Sequence, residues 1–286
     1  MTEFARRTAA REIDAREEVA RQDLATAIAE IFTPRVCGDR RVIKTERTYG
    51  HVTVRIAGPE LTATDLGVLL ALYVLAARNV SDVAPCATRG GLMPLERRDE
   101  NAADGLDSLA VHTTLGEVAA MIGRDPRDTR AKDMVHGSLQ YLMMVVVSGG
   151  RENRWAANHL ISAAKDEGGG IVVYLNFRAT HAVMGAGQWA AVDMARFREA
   201  SEIERVLMHR LAAHCTGGAP LPVSLDRLAK TCWTRPPKNG DDARKRRNRI
   251  RDALPYALPA NVTATIDQKG LVTFRRGTRN TRAEAV

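Results

Sequence analysis

The chain has 286 residues, 42 Lys and Arg against 34 Asp and Glu for a formal charge of +8, and a hydrophobic share of 45%. That length predicts two domains with enough apolar material for two cores, and without an apolar run of about 18 residues or a charged-then-apolar leader neither a membrane span nor export is expected. The expected compartment is the cytoplasm, and the scattered Cys37, Cys86, Cys215 and Cys232 form no CxxC pair, so they are expected as reduced, mostly buried thiols without a structural zinc.

Residues 1–32 read as a charged helix with Ile13, Ala20, Leu24, Ile28 and Ile31 on one side, a stripe expected to pack on the protein's own body. Leu61–Ala77, with Thr62 or Thr64 as cap, is so rich in Leu, Val and Ala that it predicts a core helix buried on most sides. Residues 79–110, with Pro85, Gly90, Gly91, Pro94 and Gly105, read as a long loop to which no function is assigned. Thr114 and Glu117 form a capping box before a helix that Gly123 closes, with Leu115, Val118, Ala119 and Ile122 inward.

Asp125, with Pro126 at the first helical position, opens the next helix, whose inner stripe is Ala131, Val135, Ser138 and Leu142. Its outer side carries Arg127, Arg130, Lys132, His136 and Gln140, mixed with Asp128 and Asp133. Strands are predicted at Met143–Ser148, Trp155–Ile161 and Ile171–Phe177, and either hairpin they form would serve as a wing beside that helix. The stretch Asn176–Trp189, with its Gly185-Ala186-Gly187 turn, reads as the link between domains.

In the last third, Val223–Trp233 predicts a short helix capped by Ser224 with Leu225, Leu228 and Cys232 buried, followed by a breaker at Thr234–Gly240. Asp241–Leu254 then reads as a capped helix with Ala243, Ile250, Leu254 and Ala257 on one stripe. Arg244, Lys245, Asn248, Arg249 and Arg251 fan across its other side, while Arg246 and Arg247 flank the stripe and could snorkel outward. Val262–Ile266 and Leu271–Arg275, joined by Asp267–Gly270, predict a hairpin bearing Lys269, Arg275 and Arg276.

A basic run by itself is often only a solvated face. Helix, turn, basic helix and basic hairpin, however, is the order of a winged helix-turn-helix, in which the second helix enters the major groove and the hairpin touches the backbone. Asn248 and Arg249, mid-arc, suit adenine and guanine edges, and Arg275 and Arg276 are placed at the wing's end near phosphates. Residues 201–286 hold 17 Lys and Arg against 8 Asp and Glu, whereas the rest of the chain holds 25 against 26, so the excess marks one dedicated docking module. The earlier half repeats the same order without residue-level identity. The expectation is an α+β chain of two tandem winged-helix domains, residues 31–177 and 178–286, the second the main DNA reader, preceded by a helix at 1–30.

The chain resembles the RepC-type replication initiators of IncQ-like broad-host-range plasmids and, more loosely, the iteron-binding plasmid initiators. The resemblance runs through Ala57–Leu61 with Asp65 and Leu66, through Leu175 and Asn176, and through Ala182–Gln188. It is closest in Leu207–Leu211 and in Arg244–Pro255, and covers roughly residues 31–260. It implies binding of double-stranded direct repeats at a plasmid origin, and opening of that origin for a helicase and a primase encoded elsewhere. A homodimer is neither required nor excluded.

Enzymatic alternatives lack their residues. No GxxxxGK[ST] run is present for ATP-driven unwinding. The histidines, His51, His112, His136, His159, His181, His209 and His214, include no His-x-His pair for metal-dependent nicking, and His209 and His214 are wrongly spaced for shared ligation. Glu202 and Glu204 face apart on a helix, and no compact acidic motif supports a primase-like nucleotidyl transferase. The reading is a non-enzymatic DNA binder without cofactor or metal, with a transcriptional repressor built from the same modules as the alternative.

Overall fold

The computed structural model describes residues 18–36, 38–49, 52–78, 109–151, 154–165, 169–185, 189–216 and 221–277. Its first segment corrects the later part of the expected amino-terminal helix, of which residues 1–17 lie outside the described residues: β1 (Val19–Asp23) is a strand paired antiparallel with residues Trp189–Asp193. Ala20 and Gln22 point inward, and the backbone partners across the pairing outweigh a local helical pattern. Asp23 then caps a one-turn helix, α1 (Leu24–Ile28), accepting from the Thr26 amide at 2.9 Å while its carboxylate pairs with Arg178 at 2.8 Å. Ile13 and most of the expected loop at 79–110 lie outside the described residues.

β2 (Phe32–Thr33) runs parallel to β5 (Leu61–Thr62), and between them β3 (Val42–Tyr49) and β4 (Val52–Pro59) form a hairpin that the sequence reading did not assign. The expected core helix is α2 (Ala63–Arg78), buried on nearly every side. Thr62 is its cap: its hydroxyl accepts from the Asp65 amide at 3.3 Å, and Asp65 accepts from the Thr62 amide at 2.6 Å. With about 1.5–3 kcal/mol for each large apolar side chain buried, this helix is the main contributor to the core.

After β6 (Ala110–Thr113), α3 (Leu115–Met121) starts at Thr114 as expected, but Glu117 turns its carboxylate to the Thr113 hydroxyl at 2.7 Å and leaves the box half formed. The next helix, α4 (Thr129–Met143), starts at Asp128 rather than at Pro126. Asp125 accepts from the Arg127 amide at 2.8 Å, a local bond that holds the first three residues in a turn. The expected inner stripe of α4 is buried.

β7 (Val146–Arg151) and β8 (Arg154–His159) complete a four-stranded antiparallel sheet, β3-β4-β7-β8. β9 (Ile161–Lys165) and β10 (Ile171–Leu175) make a second sheet with β6. The expected link is itself folded: α5 (Phe177–Val183) is capped by Asn176, whose amide also donates to the Leu160 carbonyl at 3.1 Å. Buried Ala179, Ala182 and Val183, at i, i+3 and i+4 on one face, make it part of the core.

β11 (Trp189–Asp193), the partner of β1, leads into α6 (Met194–Glu199) and α7 (Glu202–His214), the latter opened by a full capping box of Ser201 and Glu204. Then come β12 (Val223–Ser224), α8 (Leu225–Cys232), α9 (Gly240–Ala257), β13 (Val262–Ile266) and β14 (Leu271–Arg276).

The series α2, β6, α3, α4, β9, β10 recurs as α7, β12, α8, α9, β13, β14, with strand orders β6-β10-β9 and β12-β14-β13. In both, the strand before the second helix pairs with the last strand. The first series differs by the β7–β8 insertion. The two share a continuous core and are tied by polar contacts. Glu18 bridges Arg78 at 3.0 Å and Arg198, Gln22 donates to the His209 carbonyl at 3.0 Å, and Arg210 donates to the Ala27 carbonyl at 2.6 Å. Burial opposes charge on Glu18, but the Arg198 hydrogen bond and the two guanidinium charges hold its carboxyl below the usual range.

Candidate nucleic-acid interface

α9 begins at Asn239, whose side chain accepts from the Asp242 amide at 2.8 Å, and Asp241 and Asp242 suit the positive end of the helix dipole. Ile250, Ala253, Leu254 and Ala257 seat it in the core, whereas Ala243 is only half-buried. The rest of the surface is cationic, and nearly every cation is matched. Arg244 and Lys245 each reach Asp241 at 2.8 Å, and Arg247 reaches Asp226 on α8 at 3.0 Å. Arg251 donates to the Asn248 side chain at 3.2 Å, while exposed Arg249 has no hydrogen bond or ion pair among the described residues. Exposed pairs of this kind hold about 0–1 kcal/mol each, so phosphates can replace the carboxylates at small expense.

Arg246 does something different. Its side chain is 15% exposed, pairs with Asp242 at 3.0 Å, donates to the Arg235 carbonyl at 2.6 Å and lies 5.5 Å from the Trp233 ring. It anchors the segment between α8 and α9 instead of facing outward. The Lys238 amide, donating to Asp242 at 2.9 Å, and then the Arg246 charge hold the Asp242 carboxyl below its ordinary range.

The hairpin places its cations otherwise than expected. Its turn is closed by Asp267, which accepts from the Leu271 amide at 2.8 Å, and by Gly270 with φ of 79°, a left-handed conformation that glycine adopts freely. Lys269 sits exposed in that turn, which abuts the start of α8 where the Leu225 amide donates to the Gly270 carbonyl at 2.9 Å. Arg275 and Arg276 instead lie at the opposite end of β14, facing Thr263 and Val262 and, at about 3.3 Å per residue, roughly 20 Å from Lys269. The Arg276 guanidinium is tied to the Cys215 carbonyl at the end of α7. A cleft of about 320 Å³ between α9 and β13 has Arg251, Leu254, Thr263 and Ile266 among its lining residues.

On the first series Arg130, His136 and Gln140 are exposed on α4, Arg127 is exposed in the preceding turn, and Lys132 is half-buried with its chain over Gly116. Asp133 is exposed among them. Sequence reasoning missed Asp226, Trp233 and Arg235 as partners of the basic helix. Only the fold brings Asp226 opposite Arg247.

Three further titratable side chains are internal. His209 is buried with its imidazole edge-on to Phe32, and burial, then the Arg210 charge, hold it well below its usual value. Burial pushes the Cys215 thiol up to about 11 and the Cys232 thiol up to about 12, so neither is a thiolate at neutral pH. Among the described residues no three His, Cys, Asp or Glu side chains gather to hold a metal, and no helix is long and apolar enough to cross a membrane.

α9 thus presents an exposed, largely cationic arc on a mixed α/β fold. The sequence matches the family model of replication protein C (RepC) over residues 17–273, so the chain belongs to that family and is a replication protein. This upholds, at the level of the family, the resemblance to RepC-type initiators. No curated protein matches the sequence. Among solved structures, the chain is similar to the crystal structure of selenomethionine derivatives of domain 2 and domain 3 of RctB, at a TM-score of 0.54 and 9% identity, covering 89% of this chain and 98% of that one. RctB domains 2-3 (RctB-155-483) match at a TM-score of 0.51 and 8% identity, covering 88% and 95%. At such identities the likeness is one of fold.

Proposed function

We propose that the protein initiates replication of a plasmid by binding double-stranded direct repeats at its origin through two winged-helix modules, the second being the main reader. It acts without catalysis of its own, and promotes opening of the origin for a separate helicase and primase. The α2–β10 and α7–β14 series are the two modules, with divisions near 31–177 and 178–286 that share β1–β11 and a common core.

The observation that carries this reading is α9. Arg244, Lys245, Arg247, Asn248, Arg249 and Arg251 form one outward arc backed by a buried stripe, and Lys269 is exposed in the hairpin turn beside the start of α8. That arc suits insertion in a major groove, with Asn248 and Arg249 toward base edges and the rest toward phosphates. On α4, Arg130, His136 and Gln140, with Arg127 and Lys132 beside them, supply the weaker contact. Arg246 and Arg276 hold the module together, and Arg275 is removed from the proposed groove.

Footprinting with purified full-length protein on the plasmid's own origin tests the reading. Protection of regularly spaced direct repeats is the expected result. Uniform coating of the duplex would contradict it.

A further inference from the structure

Glu60 is a carboxylate 2% exposed to solvent, and its Oε2 has no hydrogen-bond partner among the described residues. A buried acceptor left so is unfavourable, and its retention asks for a reason. Its other atoms join the two modules. Oε1 accepts from the Thr234 hydroxyl, in the segment that leads into α9 and that Arg246 anchors from the far side. The Glu60 carbonyl accepts from Arg40 at 3.0 Å, and the Arg40 guanidinium lies 3.5 Å over the ring of Tyr141 on α4. Arg40 is held in turn by Asp65, at the start of α2, at 2.5 Å. One polar chain thus runs from the approach of α9 through Glu60 to α4.

We propose that Glu60 is a positioning residue that fixes α4 and α9 at one separation, so that the protein reads the spacing between two contacted DNA elements as well as their sequence. This rests on the reading that both helices contact one duplex. Hydrogen bonds have narrow distance and angle limits, so the Thr234–Glu60 and Glu60–Arg40 bonds, with the guanidinium stacked on Tyr141, add a directional constraint to the apolar packing between the modules. On DNA the separation matters because each added base pair moves the second element by about 3.4 Å and turns it by roughly 35°. A rigid pair of modules loses the tethering advantage when its sites move, whereas a loosened pair keeps part of it.

The test uses full-length protein and a duplex selected from a random library by the wild type, with one, two or five base pairs then inserted between its two protected elements. Wild type is expected to lose about tenfold or more in affinity on a single insertion, and Glu60→Ala and Thr234→Val about threefold or less. Glu60→Gln keeps the acceptor for Thr234 and is expected to restore the wild-type dependence. Circular dichroism melting establishes that each variant folds, and Thr234→Val, a near-isosteric change at a half-buried site, carries the test if Glu60→Ala does not fold. The same spacing dependence in wild type and Thr234→Val, or none in wild type, overturns the inference alone. Binding insensitive to both Arg130→Ala and Arg249→Ala overturns the underlying reading as well.

Discussion

α4 and α9 hold equivalent places in two series with the same element and strand orders, yet they face outward with different chemistry. α4 carries Arg130 and Lys132 against Asp133, whereas α9 carries Arg244, Lys245, Arg246, Arg247, Arg249 and Arg251 against Asp241, Asp242 and Asp252. The buried stripes are similar in kind, Ala131, Val135, Ser138, Leu139 and Leu142 in one and Ile250, Ala253, Leu254 and Ala257 in the other. Topology therefore depends on the inner stripe. The outer arc can change without disturbing the fold.

The difference has its largest expected effect on salt dependence. If about six phosphate contacts form, mostly from α9, affinity for a random duplex should fall about a thousandfold between roughly 50 and 200 mM salt. Alanine at Arg244, Lys245 and Arg249 together should lower the slope by about three, and alanine at Arg130 and Lys132 by no more than about two. Titrations at several salt concentrations measure this. Equal slopes for the two sets of variants would remove the asymmetry.

Within α9 itself, the cations divide by what they touch. Arg246→Ala removes charged hydrogen bonds and a half-buried aromatic contact and should lower unfolding stability by about 2 kcal/mol in urea titrations. Arg244→Ala, at an exposed pair, should change it by less than about 0.5 kcal/mol. Comparable losses would mean that Arg246 is not an anchor.

The packing between the modules should titrate. Buried His209 stays neutral in the folded chain, while the unfolded chain protonates near 6.5. The unfolded state thus binds the extra proton as pH falls. Stability from this site is complete above about pH 6.5 and declines below it toward the lower folded value. Urea midpoints measured between pH 5 and 8 should show that decline. His209→Leu should flatten it, and an unchanged slope in that variant would locate the titration elsewhere.

The smallest effect concerns the hairpin. Lys269→Ala should reduce the salt slope by about one, and Arg275→Ala by much less, because only Lys269 lies at the turn beside α8. The opposite order would put the other end of the hairpin on DNA.

Much of this architecture is legible in the sequence because it depends on local periodicity. The buried faces of α2, α4, α8 and α9, the caps Thr62, Thr114 and Ser224, and the hairpin turn at Asp267–Gly270 all follow from residue spacing. β1 does not, because Val19–Asp23 becomes a strand only by finding Trp189–Asp193, more than a hundred residues away. β3 alternates only weakly, with Lys44 and Glu46 beside Thr45, whereas in β4 Val52, Val54 and Ile56 alternate with Thr53 and Arg55, a local strand signal that the sequence reading passed over. At the candidate site the charges are visible but their partners are not. Arg246, Arg247 and Arg276 look alike in sequence, and only the fold directs one to carbonyls near Trp233, one to Asp226 and one to the end of α7.

The central claim is that α9 reads base edges, and Arg249 tests it most directly because it is exposed, mid-arc and unpaired among the described residues. Full-length wild type and Arg249→Ala should be compared by competition binding on a cognate repeat and a scrambled duplex, with Arg130→Ala alongside. Arg249→Ala should lose about 1–3 kcal/mol on the repeat and much less on the scrambled duplex, so that specificity narrows, while Arg130→Ala loses less on the repeat. Equal losses on the two duplexes for Arg249→Ala would mean that α9 does not lie in the groove.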